Sequence, residues 1–277
     1  MKITCNQQIL SKTLNTVSKA VSTRTTLPVL KGILLEAKED GTLTLTASDL
    51  EISIQKTISV NVEEPGSAVV VSKLFGDIIR KLPNEEILLE QAEDGSILIR
   101  THSSEFTVVS LPVDEFPKIG DQEEEREHLI FDAEIFKDMV KQTSFAASVD
   151  ESKGVLVGVL TEIHPQSVSM VALDGYRLAV STEKMNSGQE NHFIISAKII
   201  NEISKIIAED GDAEEVEIYL GKKKATFRID TTEIVLRLME GEYIKYRDIM
   251  PTQSTTDIVI GRAILQESIE RASLLAR

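Results

Sequence analysis

At 277 residues and 42% hydrophobic side chains, the chain is long enough for about two ordinary domains with packed cores. Its single cysteine, Cys5, excludes an internal disulfide or a cysteine zinc site, and the absence of Trp with only four Tyr argues against an aromatic groove for single-stranded nucleic acid. A net charge of -15 excludes a simple polyanion binder with a dominant basic surface, so where the few cations sit matters more than their sum.

The N-terminal Met1–Asn6 holds no long apolar signal region and no run is long enough for a membrane span, which points to the cytoplasm and to no membrane partner. Ile3–Cys5 reads as a short strand. Asn6 is the expected N-cap of a helix with Ile9, Leu10, Leu14, Val17 and Val21 at helical spacing and Lys12, Asn15 and Lys19 on the opposite face. A loop follows to Pro28, which disfavours helix at the residue before it. Strand patterns come at 29–35, 41–47 and 50–54, with a turn at Ser48-Asp49, and again at 66–71. Ser72 is expected to cap a second helix, with Leu74, Phe75, Ile78, Ile79 and Leu82 inward and Lys73, Asp77 and Arg80 outward. Strands at 87–89, 96–100 and 105–111 lead to Phe116-Pro117. The acidic run 121–127 has no periodicity and reads as an interdomain linker.

Beyond that run the pattern starts again. Leu129–Phe131 is a strand, Asp132 an N-cap, and Ile135, Phe136, Met139 and Val140 open a helix, Ile135 lying 126 positions after Ile9. Alternating residues enter and leave Asp174-Gly175, a strong short-range hairpin signal in which glycine accepts a positive φ without a Cβ clash. An isolated Asp-Gly is usually an ordinary hairpin; here Ala172-Leu173-Asp174 repeats Ala47-Ser48-Asp49 at a distance of 125. The second helix also returns, placing Lys198 opposite Lys73 and Lys205 opposite Arg80, again 125 apart. A third start follows, with Asp257–Ile260 as the strand and Ile264, Leu265, Ile269 and Ala272 as the helix. A repeat this long is a duplicated domain rather than a solenoid. The expected domains are 1–121, 127–250 and an incomplete third at 251–277. Hairpins without one-to-one strand and helix alternation make the fold class α+β, each domain packing two helices on antiparallel sheets.

Catalytic motifs are lacking. His102, His128, His164 and His192 show no metal-ligand spacing, and the sequence has neither a GxxxxGK[ST] phosphate loop nor HExxH. Asp210–Glu215 resembles a calcium loop only superficially, without its central glycine, and reads as a solvated turn. No metal or cofactor is expected.

Asp174-Gly175-Tyr176-Arg177-Leu178-Ala179, the loop from Arg24 to Leu30, Ala47–Glu51 and the threefold strand-helix start together resemble the bacterial sliding clamps, the beta subunits of DNA polymerase III, in register along the whole chain. The resemblance implies a DNA clamp fold, head-to-tail homodimer rings in the three-domain form, and a non-enzymatic role in holding a polymerase on double-stranded DNA without sequence preference. It further implies that Lys12, Lys19, Lys73, Arg80, Lys198 and Lys205 face the DNA, with Arg24 on an adjoining loop. A second implied surface takes short linear peptides from the replicative DNA polymerase, the clamp loader and repair proteins. Its wall in the second domain would be Leu156, Leu173, Gly175, Tyr176, Arg177 and Leu178 with Ile244, Asp248 and Ile249. Leu173, Ile244 and Asp248 stand where the family commonly has threonine, proline and a basic residue. The chain would end within the third domain, so a monomer or a non-native association is expected of it, with the helix from Ile264 to Leu275 poorly packed. The alternative from another class is an adaptor of duplicated domains that binds peptides and never encircles DNA; a hydrolase would need an acid or base for which the residues offer no candidate.

Overall fold

Strand β1 (Lys2–Asn6) runs straight into helix α1 (Gln7–Val17) because the Asn6 side chain accepts the backbone N–H groups of Gln8 at 2.9 Å and Ile9 at 3.3 Å. These are donors that a first helical turn leaves unpaired. After a 3-10 turn come β2 (Gly32–Lys38), β3 (Thr42–Ser48), β4 (Ile52–Ser59), β5 (Asn61–Glu64) and β6 (Gly66–Val71). Helix α2 (Ser72–Lys81) then leads to β7 (Glu86–Gln91), β8 (Ile97–Arg100), β9 (Glu105–Val108) and β10 (Ser110–Leu111).

The second half opens the same way. Strand β11 (Glu127–Asp132) passes into α3 (Ala133–Thr143), and the Asp132 carboxylate accepts the Ile135 N–H at 2.9 Å. There follow β12 (Gly158–His164), β13 (Ser167–Leu173), β14 (Leu178–Lys184), β15 (Asn191–Ser196), α4 (Ala197–Asp210), β16 (Glu215–Leu220), β17 (Lys224–Ile229) and β18 (Thr232–Arg237). The computed structural model describes residues 1–22, 24–119, 127–211 and 213–276, so the expected linker, apart from Glu127, lies outside the described residues, as does Asp212. Gly211 ends α4 with φ +73, the left-handed cap that its missing Cβ permits.

The halves share details that only duplication explains. Thr44 and Thr57 share a cross-strand hydroxyl bond at 3.1 Å between β3 and β4, and Ser169 and Thr182 share one at 2.9 Å between β13 and β14. Arg100 pairs with Glu105 at 2.9 Å across β8 and β9, and Arg228 with Glu233 at 2.9 Å across β17 and β18.

Among the described residues every strand pairing is antiparallel, and the strands form three sheets, ordered β5-β1-β7-β8-β9, β10-β6-β2-β3-β4-β18-β17-β16-β11 and β14-β13-β12-β15. The nine-stranded sheet belongs to both halves. Its seam is β4 against β18, with Ile54 opposite Ile234 and Ile52 opposite Leu236. Helix α1 lies on α2, β3 and β4, while α3 lies on α4, β13 and β14. Leu10, Leu14 and Val17 from α1, with Phe136, Met139 and Val140 from α3, are fully buried there, each contributing roughly 1.5–3 kcal/mol of apolar transfer. The first unit, Met1–Tyr243, contains both halves, and the second, Ile244–Arg277, holds α5 (Tyr246–Ile249) and α6 (Arg262–Ser273).

Several sequence expectations need correction. Residues 28–31 form a 3-10 turn rather than the start of a strand, since Pro28 at its head lacks an N–H for a ladder and fixes a helical φ. Val71, with extended backbone, is the N-cap of α2, and Ser72 is its buried first residue, sharing a hydrogen bond with Ser18 at 3.1 Å. Ile9, Leu74 and Ile135 are exposed because each is one residue before the buried stripe begun by Leu10, Phe75 or Phe136 and is rotated about 100° from it. Residues 257–260 form no strand: apolar alternation needs a neighbouring edge to pair with, and the second unit contains no strand among the described residues.

Candidate DNA face and peptide-docking hairpin

Side chains join the four long helices of the first unit in the order α2, α1, α4, α3. Arg80 on α2 donates to Asn15 Oδ1 on α1 at 3.2 Å. Lys19, in the 3-10 turn continuing α1, pairs with Glu209 on α4 at 2.7 Å, crossing from one half to the other. Ser144, just past α3, donates to Asn201 Oδ1 on α4 at 2.9 Å. The polar faces therefore form one continuous strip.

Six of the seven cations expected to face DNA lie on this helical strip. Lys12, Lys73, Arg80, Lys198 and Lys205 are exposed on it, Lys19 is half-buried at its centre, and Arg24 is exposed in the loop after the first 3-10 turn. At least three are held by carboxylates. Arg80 pairs with Asp77 one turn back, Lys205 pairs with Glu202 at 2.7 Å with the same three-residue spacing, and Lys19 holds Glu209. The Glu202 carboxylate, bonded to and close beside Lys205, raises the ammonium pKa above its ordinary value. Arg80 and Lys205 stay exposed to solvent, where such pairs are weak, so a phosphate can replace the carboxylate at little cost. The sequence contained the signal for these acidic partners, since Asp77/Arg80 and Glu202/Lys205 both have helical i,i+3 spacing.

The hairpin between β13 and β14 carries most of the expected peptide wall. Leu173 is paired with Leu178 across the ladder, so the loop is the four residues 174–177 rather than a two-residue turn. The Asp174 carboxylate accepts the N–H groups of Tyr176 at 2.9 Å and Arg177 at 3.1 Å and the Arg177 Nε at 3.0 Å, which holds its pKa below the ordinary aspartate value. Gly175 has φ +95 with open space where a Cβ would point. Tyr176 is 95% exposed, Leu173 is buried, and Leu156 and Leu178 are half-buried. Lys153 donates to the Asp174 carbonyl at 3.1 Å and sits 5.7 Å from the Tyr176 ring centroid, while Arg177 lies 5.8 Å from that of Phe145. Neither Lys153 nor Phe145 was legible as part of the site, because only the fold brings 145–157 to the hairpin. Tyr243, the last residue of the first unit, has its hydroxyl 3.4 Å from the Gly158 carbonyl and 3.5 Å from that of Val171, and burial pushes its pKa up to about 12. Ile244, Asp248 and Ile249 belong to the second unit and are exposed.

No group of three or more His, Cys, Asp or Glu able to hold a metal ion occurs among the described residues, and none of the described helices is long and apolar enough to cross a membrane. Burial pushes the Cys5 thiol up to about 12, far from a reactive thiolate.

Tandem strand-helix units fused through one sheet, their helix pairs abutting in a strip, define a clamp-type protein. Residues 1–120 match the DNA polymerase III beta subunit N-terminal domain and residues 131–245 its central domain. The beta sliding clamp of Bacillus subtilis is 32% identical over 287 residues, covering 100% of this chain and 75% of that protein. The crystal structure of the DNA polymerase sliding clamp from Bacillus subtilis superposes with TM-score 0.94 at 32% identity, covering 100% of this chain and 74% of that one. A sliding clamp from Pseudomonas aeruginosa bound to griselimycin gives TM-score 0.88 at 28% identity, covering 99% and 74%. The chain belongs to the DNA polymerase III beta subunit family, the beta sliding clamps, which are non-catalytic processivity factors.

Proposed function

We propose that this chain is a clamp subunit whose helical strip faces duplex DNA, with Lys12, Lys19, Lys73, Arg80, Lys198 and Lys205 meeting phosphates and Arg24 reaching in from its loop. The continuity of α2, α1, α4 and α3 carries this reading, because it turns scattered lysines into a track along one side of the unit. Phosphate contacts of this kind read no sequence. Carboxylates interleaved at Asp77, Glu202 and Glu209 keep the track weakly attractive, which suits sliding. Rings form by head-to-tail association of longer chains: β4 and β18 meet at the internal seam, and their counterparts β14 and β9 are sheet edges. The proposed domains are 1–121, 127–250 and a third beginning at 251. The hairpin 173–178, with Leu156, takes short peptides from the replicative polymerase, the clamp loader and repair proteins, and Ile244, Asp248 and Ile249 of the second unit are further residues proposed for peptide contact. The ligand-bound Pseudomonas relative supports a ligand-accepting surface in such clamps.

The test, made with the longer, ring-forming chain, is retention on closed circular duplex DNA after loading, followed by linearisation at constant salt. Release on linearisation is expected; loss that follows salt alone would refute encirclement. Lys198→Glu with Lys205→Glu is expected to impair loading, whereas an adaptor that never surrounds DNA would be indifferent to it.

A further inference from the structure

A cavity of about 400 Å³ opens at the seam between the two halves, among the turn after β3, residues 117–119 and the ends of β17 and β18. Leu50, Ile119 and Val235 supply apolar surface, and Lys118, Lys224 and Arg237 supply exposed positive charge. Glu51 is the acidic residue in the lining, and Lys223, also there, pairs with Glu240 at 3.5 Å. On a chain of net charge -15, this concentration of cations beside apolar side chains is anomalous.

Duplication gives the groove its meaning. Leu50 lies 125 positions before Gly175, and Ser48 and Ser53, which also line the groove, lie 125 before Leu173 and Leu178. Pro117 lies 127 before Ile244, the offset that separates Phe116 from Tyr243. The groove is thus made in the first half by the counterparts of the hairpin expected to take peptides in the second. Leu50 keeps the left-handed turn of that hairpin, with φ +77, although leucine rarely adopts it, and its side chain is 62% exposed. A strained, exposed leucine at the mouth of a groove is the combination in which local cost is retained for contact.

We propose that this groove is a second peptide-docking site, for a short linear segment that pairs an apolar anchor with flanking acidic residues. The anchor packs on Leu50, Ile119 and Val235, and the carboxylates meet Lys118, Lys224 and Arg237. A nucleic acid would use the cations but has no need of the apolar wall, so the mixed lining favours the peptide. The site stands apart from the hairpin 173–178 and is tested without it.

The probe is fluorescein-labelled Glu-Asp-Leu-Phe-Asp-Glu, its anisotropy followed on the whole chain at low salt. Saturable binding is expected, weakened tenfold or more, roughly the loss of one good interaction, by Lys118→Ala with Lys224→Ala and Arg237→Ala, and unchanged by Lys38→Ala outside the groove. Leu50→Gly is expected to weaken binding several-fold while leaving the melting temperature equal or higher, a split that a purely structural leucine would not give. No binding up to about 1 mM, or equal binding by the triple variant, overturns the proposal. Displacement by duplex DNA that depends on the same cations but not on Leu50 would reassign the groove to phosphate. Binding that emerges only after Glu123→Gln, Glu124→Gln and Glu125→Gln would reassign it to the chain's own acidic segment.

Discussion

The seam and the open edges of this protein are the same strands in different company. At the seam Ile54 of β4 and Ile234 of β18 face each other and are fully buried. In the other copies the counterpart of Ile54 is Ala179 on β14, half-buried, and that of Ile234 is Phe106 on β9, 42% exposed. Where the partner strand is present the position is a core; where it is absent the same ladder position is a surface. The open edges are also blunted, β9 by its length of four residues and β14 by Glu183 and Lys184 at its end. A duplicated unit therefore carries its joining surface in every copy, and the copy's place in the chain decides whether that surface is closed.

The largest effect should come from the seam itself. Ile234→Ala is expected to cost about 2–5 kcal/mol in chemical denaturation, against under about 1 kcal/mol for Phe106→Ala. Equal costs would mean that the edge is already covered or the seam loosely packed. Next, the two turns should respond with opposite sign to exchange of their residues. Gly175→Leu, forcing a side chain to φ +95, should destabilise by about 1–2 kcal/mol, while Leu50→Gly should be neutral or stabilising by up to about 1 kcal/mol. The helix starts should behave alike in the two halves: Asn6→Ala and Asp132→Ala are each expected to cost about 1 kcal/mol, adding when combined.

Asp174 gives a pH-dependent comparison. Its pKa is lowered in the folded chain, chiefly by the Tyr176 and Arg177 N–H groups, so the stabilisation is fully present above the unfolded aspartate pKa and is lost as pH falls through the lower folded one. The Tyr176 and Arg177 amide resonances should hence titrate below the ordinary aspartate range; a normal midpoint would remove the carboxylate from the turn. The smallest effect belongs to the track. Lys198→Ala should reduce the salt slope of DNA affinity by about 1, and Glu202→Gln, which frees Lys205, should tighten binding slightly.

Much was legible along the chain because it depends on neighbours a few residues away. The caps at Asn6 and Asp132, the buried stripe of α1, the hairpin at Asp174-Gly175 and the recurrence of Lys73/Arg80 as Lys198/Lys205 all follow from helical or alternating spacing and from turn chemistry. Less was legible where spacing admitted two outcomes. Ile9 and Leu74 fit the helical pattern yet are exposed, and the alternation at 257–260 suits a strand but formed none.

Local spacing along the chain was enough to establish that one unit of about 125 residues was copied, that α1 and α3 begin after Asn6 and Asp132, and that Lys12, Lys73, Lys198 and Lys205 face outward. Tertiary structure alone decided that β4 finds β18 some 180 residues away, that Arg80–Asn15 and Lys19–Glu209 join four helices into one strip, and that Leu50 stands over a basic groove. Those outcomes depend on which distant segments meet: ladder hydrogen bonds are indifferent to side-chain identity and leave no periodicity to read, and the helix-to-helix contacts join residues 65 and 190 positions apart.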